Sequence, residues 1–355
     1  MSSRTVRIED LTIGGGAPVR VESMLTSSLN DLDSCILETE SLAREGCELL
    51  RVAFPSKEQA PALEELLRKS PIPLMGDIHF DEELAVEALR RGCPSIRINP
   101  GNMRKGISRV VEEARKRGAV LRIGANGGSL NGEQLEKNSG DIALALVAAV
   151  EEQLAILEEE GFEDIILSAK ATHIDHTLRA NQILASRYPY PLHIGITEAG
   201  SGLGGIVKSA CGLGLLLSQG IGDTLRVSLT GPSPEEVRVG YAVLGALNLR
   251  RHGASLVSCP TCGRRKIDVF SVVQSLEPLL KDLPGNLEIA VMGCEVNGPR
   301  EAAHADMGVA GTPSGAAFFA KGVPVGRMDG QDPEEIAREL CKIARDLCKK
   351  ENSET

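Results

Sequence analysis

Eight short apolar runs, each followed by a helical pattern, occupy the first 250 residues. The predicted strands are 19–24, 47–54, 72–79, 95–99, 120–126, 164–170, 191–197 and 223–230, and helical patterns follow them, for example at 31–44, 81–91 and 234–249. Buried parallel strands have near-continuous apolar sequences, as these runs do. Eight consecutive strand–helix units favour a (β/α)8 TIM barrel over 1–249 rather than an open doubly wound sheet.

The remaining residues predict a second, smaller α/β domain over 250–355. Residues 250–255 have the composition of a linker. Strands are expected at 254–258, 287–292 and 306–310, and helices at 267–281 and 333–349.

Nearly every predicted barrel strand ends in a polar or charged residue. In a TIM barrel these ends meet at one mouth, where the chemistry takes place. The residues are Arg51, Asp77, His79, Arg97, Asn99, Arg122, Asn126, Lys170, Glu198, Arg226 and Ser228. Five cations at one mouth repel each other unless an anion completes the site, and a phosphate or diphosphate suits Arg and Lys donors.

An alternative is that each cation pairs with a carboxylate on a solvated rim. Glu198 and Asp77 are carboxylates available for proton transfer, and His79 is a further candidate, although a lone histidine is more often structural.

Three cysteines of the second domain indicate a metal site. Cys259-Pro-Thr-Cys262 is a Cys-x-x-Cys pair, and Cys294 lies in a Gly/Pro-rich loop that continues to Glu301. Three thiolates are one ligand short of an iron–sulfur cluster or a zinc ribbon. If Glu301 is the fourth ligand, its weakly held oxygen can leave and open a coordination position to a substrate. The alternatives are a structural zinc ribbon that uses His304 and a redox-active dithiol of Cys259 and Cys262.

Composition excludes several classes of function. A net charge of −10 and 3% aromatic residues argue against a nucleic-acid-binding surface. No apolar run is long enough to span a bilayer, and the first residues lack the apolar core of a signal peptide. The nine cysteines are an odd number, which favours a reducing compartment, so we expect a cytoplasmic protein without a membrane partner.

The order of the two domains also bears on assembly. The last barrel helix carries the chain about 24 Å away from the mouth. The second domain therefore begins at the wrong end of its own barrel. Either that domain folds back a long way, or a second subunit places its cysteine site over this mouth. A head-to-tail homodimer, in which each cysteine site lies over the partner's barrel, solves the geometry for both chains.

Together these segments resemble the 4-hydroxy-3-methylbut-2-enyl diphosphate synthase family. The similar stretches are Ser258-Cys-Pro-Thr-Cys-Gly263, Val291-Met-Gly-Cys294, Val296-Asn-Gly-Pro299 with Glu301, Asp77-Ile-His-Phe80, Arg97-Ile-Asn-Pro-Gly-Asn102, Arg122-Ile-Gly with Asn126, Gly128-Ser-Leu130, His193 with Gly195, Thr197-Glu-Ala-Gly200, Ile221-Gly-Asp-Thr224 and Arg226-Val-Ser-Leu-Thr230. They extend over nearly the whole chain.

The resemblance implies an oxidoreductase of isoprenoid biosynthesis with a TIM barrel, a 4Fe–4S domain and a dimeric assembly. It implies the reductive opening and dehydration of 2-C-methyl-D-erythritol 2,4-cyclodiphosphate, with two electrons from a flavodoxin or ferredoxin. The cluster ligands are then Cys259, Cys262, Cys294 and Glu301.

The resemblance also implies roles for residues at the barrel mouth. The diphosphate is then held by Arg51, Arg97, Arg122, Asn126, Lys170, Arg226 and Ser228, with Asp77 and His79 at the mouth. Glu198 is the carboxylate near the reacting carbons.

Two positions depart from the family pattern. Glu22 stands where the family usually has glutamine, and it adds a negative charge near the expected anion site. Arg300 replaces a glycine next to Glu301.

Two other functions are compatible with parts of the pattern. One is a non-redox phosphate-binding TIM-barrel transferase with a structural zinc ribbon, which has no need for Glu301. The other is a non-catalytic iron–sulfur carrier, which has no need for a cationic mouth.

Overall fold

The computed structural model describes residues 3–78, 81–99, 106–260, 262–283, 285–295 and 302–353. The chain divides into two compact units, Met1–Arg250 and Arg251–Thr355. Among the described residues, no helix combines the length and the apolar character needed to cross a membrane.

Over its described ranges, the first unit has a short antiparallel hairpin followed by eight parallel strands. The hairpin strands are β1 (Val6–Ile8) and β2 (Leu11–Ile13), and the parallel strands are β3 (Arg20–Met24), β4 (Leu49–Ala53), β5 (Leu74–Asp77), β6 (Ser95–Ile98), β7 (Val120–Asn126), β8 (Ile165–Lys170), β9 (His193–Ile194) and β10 (Thr224–Leu225). Their order is β8-β7-β6-β5-β4-β3-β10-β9. Leu167 of β8 also pairs in parallel with Leu192, next to β9, so the sheet closes on itself. The predicted barrel is confirmed.

The last two barrel strands are shorter than their apolar runs. The patterns at 191–197 and 223–230 predicted strands of seven and eight residues, but β9 and β10 have two residues each. Ile196 and Val227 are nevertheless buried. Burial rather than ladder pairing explains the apolar character beyond the strand ends.

Nine helices are described in the first unit, one or two after each barrel strand. They are α1 (Leu32–Arg44), α2 (Ala60–Lys69), α3 (Glu82–Arg90), α4 (Ile107–Arg117), α5 (Gly132–Lys137), α6 (Ile142–Glu159), α7 (Ile174–Arg187), α8 (Gly202–Leu217) and α9 (Ser233–Ala246), with 3₁₀ turns at Lys57–Gln59 and Gly127–Ser129. Asp31, Asp81 and Asp141 accept hydrogen bonds from the first free backbone N–H groups of α1, α3 and α6. Such caps set where each helix begins and thereby set the lengths of the loops at the mouth.

The hairpin lies at the amino-terminal ends of the barrel strands. Its residues Val6, Ile8 and Ile13 are buried. They pack with residues at the beginnings of β4, β5, β7 and β8, namely Leu49, Met75, Val120 and Ile166. The hairpin thus covers this end of the barrel. The sequence did not predict it, since strands of three residues show no usable periodicity.

In its described residues, the second unit is a five-stranded sheet with two helices. The strands are β11 (Ser255–Ser258), β12 (Glu288–Met292), β13 (Met307–Thr312), β14 (Gly315–Ala320) and β15 (Val323–Asp329), and the helices are α10 (Val269–Leu280) and α11 (Pro333–Ser353). The order is β11-β12-β13-β14-β15, with β11, β12 and β13 parallel.

Strands β14 and β15 were not predicted. They extend the sheet in antiparallel pairing. Strand β15 is exposed along most of its length and contains Pro324 and Gly326. Proline and glycine are typical of loops as well as of edge strands, so this segment carries no clear strand signal.

Candidate functional site

The carboxyl ends of the barrel strands bring the five predicted cations into one cavity. Arg51, Arg97, Arg122, Lys170 and Arg226 line it, and so do Asn126, Thr197 and Ser228. We call these five side chains the cationic cradle. They come from four strands and from the residue after β10, so closure of the barrel is what places them together.

Two cradle arginines share one carboxylate. Asp77 lies 3.5 Å from Arg51 Nε and 3.2 Å from Arg97 Nη1, and its side chain is almost fully buried. Burial lowers the pKa of Arg51 to about 10, against the opposing attraction of Asp77. Asp77 is therefore a counterion for two guanidinium groups. For Arg51 and Arg97, the alternative that the cations pair with nearby carboxylates thus applies in part.

A third arginine makes a fully buried ion pair. Arg122 Nη1 donates to Glu22 Oε2 at 2.5 Å, and both side chains are at most 1% exposed. Burial raises the pKa of Glu22, but Arg122, Arg51 and Lys170 together more than offset this effect, so the pKa lies below its ordinary value.

Arg122 also carries an unpaired donor. Within the part of the chain that the structure describes, its buried Nη2 atom has no hydrogen-bond partner. A buried donor without an acceptor is costly, by about 1–3 kcal/mol. Arg122 lines the cavity, so an anion bound in the cradle is a suitable acceptor.

The lysine of the cradle contacts a histidine rather than a carboxylate. Lys170 Nζ lies 2.7 Å from His193 Nε2, and His193 Nδ1 lies 2.7 Å from Thr224 Oγ1. Burial and the neighbouring cations Arg51 and Arg122 lower the pKa of Lys170 well below its ordinary value. Burial and Lys170 do the same for the pKa of His193.

Arg226 is held by the helix that follows it. Its Nη2 atom lies 3.3 Å from Glu236 Oε2. Glu236, in α9, also accepts the backbone N–H of Leu229 at 2.9 Å. This carboxylate therefore ties the loop after β10 to α9 and fixes the direction of Arg226.

One other predicted residue, Glu198, lies outside this set of contacts. Glu198 is exposed, does not line the cavity, and accepts a hydrogen bond from Thr172 Oγ1 at 3.1 Å. Its backbone φ of +52° is unusual for a residue with a side chain, and such strain is often found at functional sites. His79 lies outside the described residues.

In the second unit, two of the predicted thiols lie on one edge of the sheet. Cys259 follows β11 and Cys294 follows its parallel neighbour β12. The backbone N–H of Gly293 donates to Cys259 Sγ at 3.1 Å. Cys262 is exposed, and none of the nine cysteines, all of which the structure describes, is in a disulfide. Glu301 and the neighbouring Arg300 lie outside the described residues.

Among the described side chains, no three His, Cys, Asp or Glu groups are placed to hold one metal ion. A thiol that accepts a backbone N–H has the environment that tunes iron–sulfur ligands.

Sequence reasoning did not assign roles to the second layer of the cradle. His193, Thr224 and Glu236 hold the cations in place. His193 and Thr224 are buried polar residues at strand positions, which is a signal that they face other polar groups. Glu236 lies on a helix, where an acidic residue is usually solvated, so its contact with Arg226 depends on the tertiary fold.

Two protein-family models match the chain. The model described as the GcpE TIM-barrel domain matches residues 3–241, and the model described as the GcpE protein C-terminal domain matches residues 255–346.

Curated proteins are similar over nearly the full length. The chain is 46% identical over 344 residues to a protein of Geobacter sulfurreducens, covering 96% of this chain and 98% of the relative. It is 44% identical over 348 residues to a protein of Caldanaerobacter subterraneus, covering 97% and 98% respectively. Both relatives are named 4-hydroxy-3-methylbut-2-en-1-yl diphosphate synthase (flavodoxin). These matches confirm the family resemblance.

Among solved structures, the chain resembles dihydropteroate synthase of Yersinia pestis bound to a pterine–sulfa conjugate. The TM-score is 0.48 at 14% identity, over 70% of this chain and 100% of that chain. A likeness at this level has no bearing on function.

Proposed function

This chain belongs to the GcpE family, and on that premise we propose that it is the oxidoreductase that opens 2-C-methyl-D-erythritol 2,4-cyclodiphosphate and removes water to give (E)-4-hydroxy-3-methylbut-2-enyl diphosphate. The names of the relatives support this proposal. The structural observation that carries it is the cationic cradle with the unpaired Arg122 nitrogen. A diphosphate supplies both the charge and the acceptors that this cavity needs.

The reaction defines what the cradle has to do. One bond from carbon to a diphosphate oxygen breaks, one hydroxyl leaves as water, and a carbon–carbon double bond forms while two electrons enter. The departing diphosphate oxygen gains negative charge. Arg51, Arg97, Arg122 and Arg226 are already oriented by buried carboxylates, so they stabilise this charge without reorganising.

Glu198 is the proposed proton source for the leaving hydroxyl. It lies in the loop after β9, next to Thr197, which lines the cavity. Its left-handed backbone and its contact with Thr172 hold the carboxyl group at one place near the mouth. A positioned acid that protonates a leaving oxygen typically contributes about 100- to 10,000-fold in rate.

Cys259, Cys262, Cys294 and Glu301 are the proposed ligands of a 4Fe–4S cluster. When bound, such a cluster supplies the two electrons singly and offers a Lewis-acidic iron. The hydrogen bond from Gly293 orients the Cys259 sulfur for this role.

We also propose the electron donor, the assembly and the compartment of the working protein. The electron donor is a flavodoxin, as in the names of the relatives, or a ferredoxin. The assembly is a head-to-tail homodimer in which one chain's cysteine site serves the partner's barrel. The compartment is the cytoplasm, where reducing conditions keep cysteines free.

Anaerobic purification followed by metal analysis and turnover with reduced flavodoxin tests the proposal. We expect about four irons and four sulfides per chain, as a 4Fe–4S cluster requires, together with formation of the allylic diphosphate. One zinc without colour and without turnover, even after anaerobic reconstitution, would instead support the phosphate-binding transferase with a zinc ribbon.

A substitution in the cradle distinguishes the loss of substrate binding from the loss of the iron–sulfur cluster. Arg122→Met is expected to lower kcat/KM on the order of 10- to 100-fold, because a charged hydrogen bond of about 1.5–3 kcal/mol is lost. Iron and sulfide content stays at the wild-type value. The matched control is Arg187→Met on α7, an exposed arginine that pairs with Glu151, which leaves kcat/KM unchanged. Equal kinetics in the two variants would refute the cradle.

A further inference from the structure

One member of the cradle, Lys170, forms a buried pair of basic nitrogens with His193, which does not line the cavity. Lys170 and His193 are 6% and 1% exposed, and their facing nitrogens are 2.7 Å apart. At this distance the two nitrogens form a hydrogen bond, in which one is the donor and the other is the acceptor. An ammonium facing an imidazolium has no acceptor, so the pair holds at most one positive charge.

The far side of the imidazole is also occupied. His193 Nδ1 lies 2.7 Å from the Thr224 hydroxyl and 3.6 Å from Glu22 Oε2. A carboxylate on this side favours a proton on Nδ1. Nε2 is then unprotonated, and its lone pair is directed at Lys170. Glu22 and Thr224 therefore set the tautomer, and the tautomer sets what Lys170 donates to.

The surroundings of Lys170 disfavour its charged form in the absence of a ligand. Arg51, Arg122 and Arg226 line the same cavity as Lys170 and oppose a positive charge on it, whereas the Glu22 carboxylate favours that charge. Burial and like charge both favour the neutral amine. The lowered pKa values of Lys170 and His193 agree with this geometry.

We propose that Lys170 and His193 form one titrating unit, positioned by Glu22 and Thr224, that takes up a proton when a dianionic diphosphate enters the cradle. The proposal rests on the proposed function of the cavity. Two negative charges next to Lys170 reverse the balance that favours the amine. The cradle therefore gains a positive charge only when its ligand is present, and His193 Nε2 keeps the ammonium directed at one place.

Isothermal titration calorimetry of the anaerobic holoenzyme tests proton uptake directly. The probe is the cyclic diphosphate without reductant, titrated in buffers of different ionisation enthalpy between pH 6 and pH 9.5. Each phosphorus of this ligand carries one ester bond, one anhydride bond and a single strongly acidic oxygen that does not titrate in this range, so any proton exchanged belongs to the protein. We expect uptake that approaches one proton per site over part of this range.

Two variants assign the proton. Lys170→Met is expected to bind more weakly and to take up no proton. The matched control is Asp223→Asn, which changes a half-buried carboxyl at the amino-terminal end of β10, where it accepts hydrogen bonds from Ser3 Oγ and the Leu192 backbone N–H. This variant is expected to keep the wild-type uptake.

Two more variants test the positioning residues. Glu22→Gln removes the carboxylate that favours the ammonium, so uptake begins at a lower pH than in the wild type. His193→Ala raises KM about 10-fold or more, and His193→Gln partly restores it, since an amide oxygen also accepts from Lys170. If these residues were needed only for folding, their substitution would not change the pH at which proton uptake begins. His193→Ala and His193→Gln would then also have the same KM. Thermal melting of each variant checks the fold.

The possible results distinguish this inference from the proposed function. Absence of binding in the wild type overturns the cradle and the inference together. Binding with the same enthalpy in every buffer at every pH overturns the inference and leaves the cradle intact. Uptake that persists in Lys170→Met assigns the proton to another group and also overturns the inference.

Discussion

Gly195 shows how much the cradle depends on a single missing side chain. A Cβ at this position would lie 2.6 Å from the Arg226 carbonyl oxygen and 3.2 Å from Lys170 Nζ. The backbone of Arg226 cannot yield cheaply, so Gly195→Ala is expected to displace both cations and to raise KM about 10-fold or more. Steady-state kinetics measure this. Gly214→Ala on α8, where a Cβ meets nothing within 4 Å, is the control and should stabilise the helix by about 1 kcal/mol without changing KM. Unchanged KM in both variants would contradict the contact.

At the scale of elements, the hairpin β1–β2 contributes stability rather than chemistry. Ile8 is fully buried against the beginnings of the barrel strands, whereas Arg7 beside it is exposed. Ile8→Ala is expected to cost about 2–5 kcal/mol through lost burial and a residual cavity. The measurement is the urea midpoint of unfolding by circular dichroism, with Arg7→Ala as the control that leaves it unchanged. The kcat/KM of folded Ile8→Ala stays at the wild-type value, and a large loss of kcat/KM would show that the hairpin shapes the mouth.

At the scale of the whole molecule, the proposed head-to-tail dimer makes each active site from two chains. Lys170→Met damages the barrel site and Cys294→Ser damages the cysteine site, so each homodimer is expected to be nearly inactive. A mixed dimer then contains one site with an intact barrel and an intact partner cluster. Co-expression of two differently tagged chains and purification of the mixed dimer should recover about half of the wild-type activity, since one of its two sites is intact. Recovery of none would show that each chain uses its own cysteines.

The sequence predicted the parts of this molecule whose signals are local. The alternation of apolar runs and helices predicted the barrel, and the rule that strands end at one mouth predicted that Arg51, Arg97, Arg122, Lys170 and Arg226 would converge. The sequence did not predict which cation contacts which partner. Glu22 and Arg122 are 100 residues apart along the chain, and Ser23 and Glu236 are 213 apart. Such pairs depend on barrel closure, which no local pattern encodes.

The missed elements have a related cause. The hairpin strands are too short to show a period, and β15 carries the proline and glycine that are typical of loops. Both are stabilised by contacts with distant segments rather than by their own propensity.

The hairpin beneath the barrel has a kinetic consequence. Because Val6, Ile8 and Ile13 fill the amino-terminal end with apolar side chains, that end offers no passage for a charged molecule. Whatever enters the cavity has to depart through the same opening. Bound product therefore blocks the entry of the next substrate molecule, and the product is a competitive inhibitor. Product release is then a step that can limit the turnover rate.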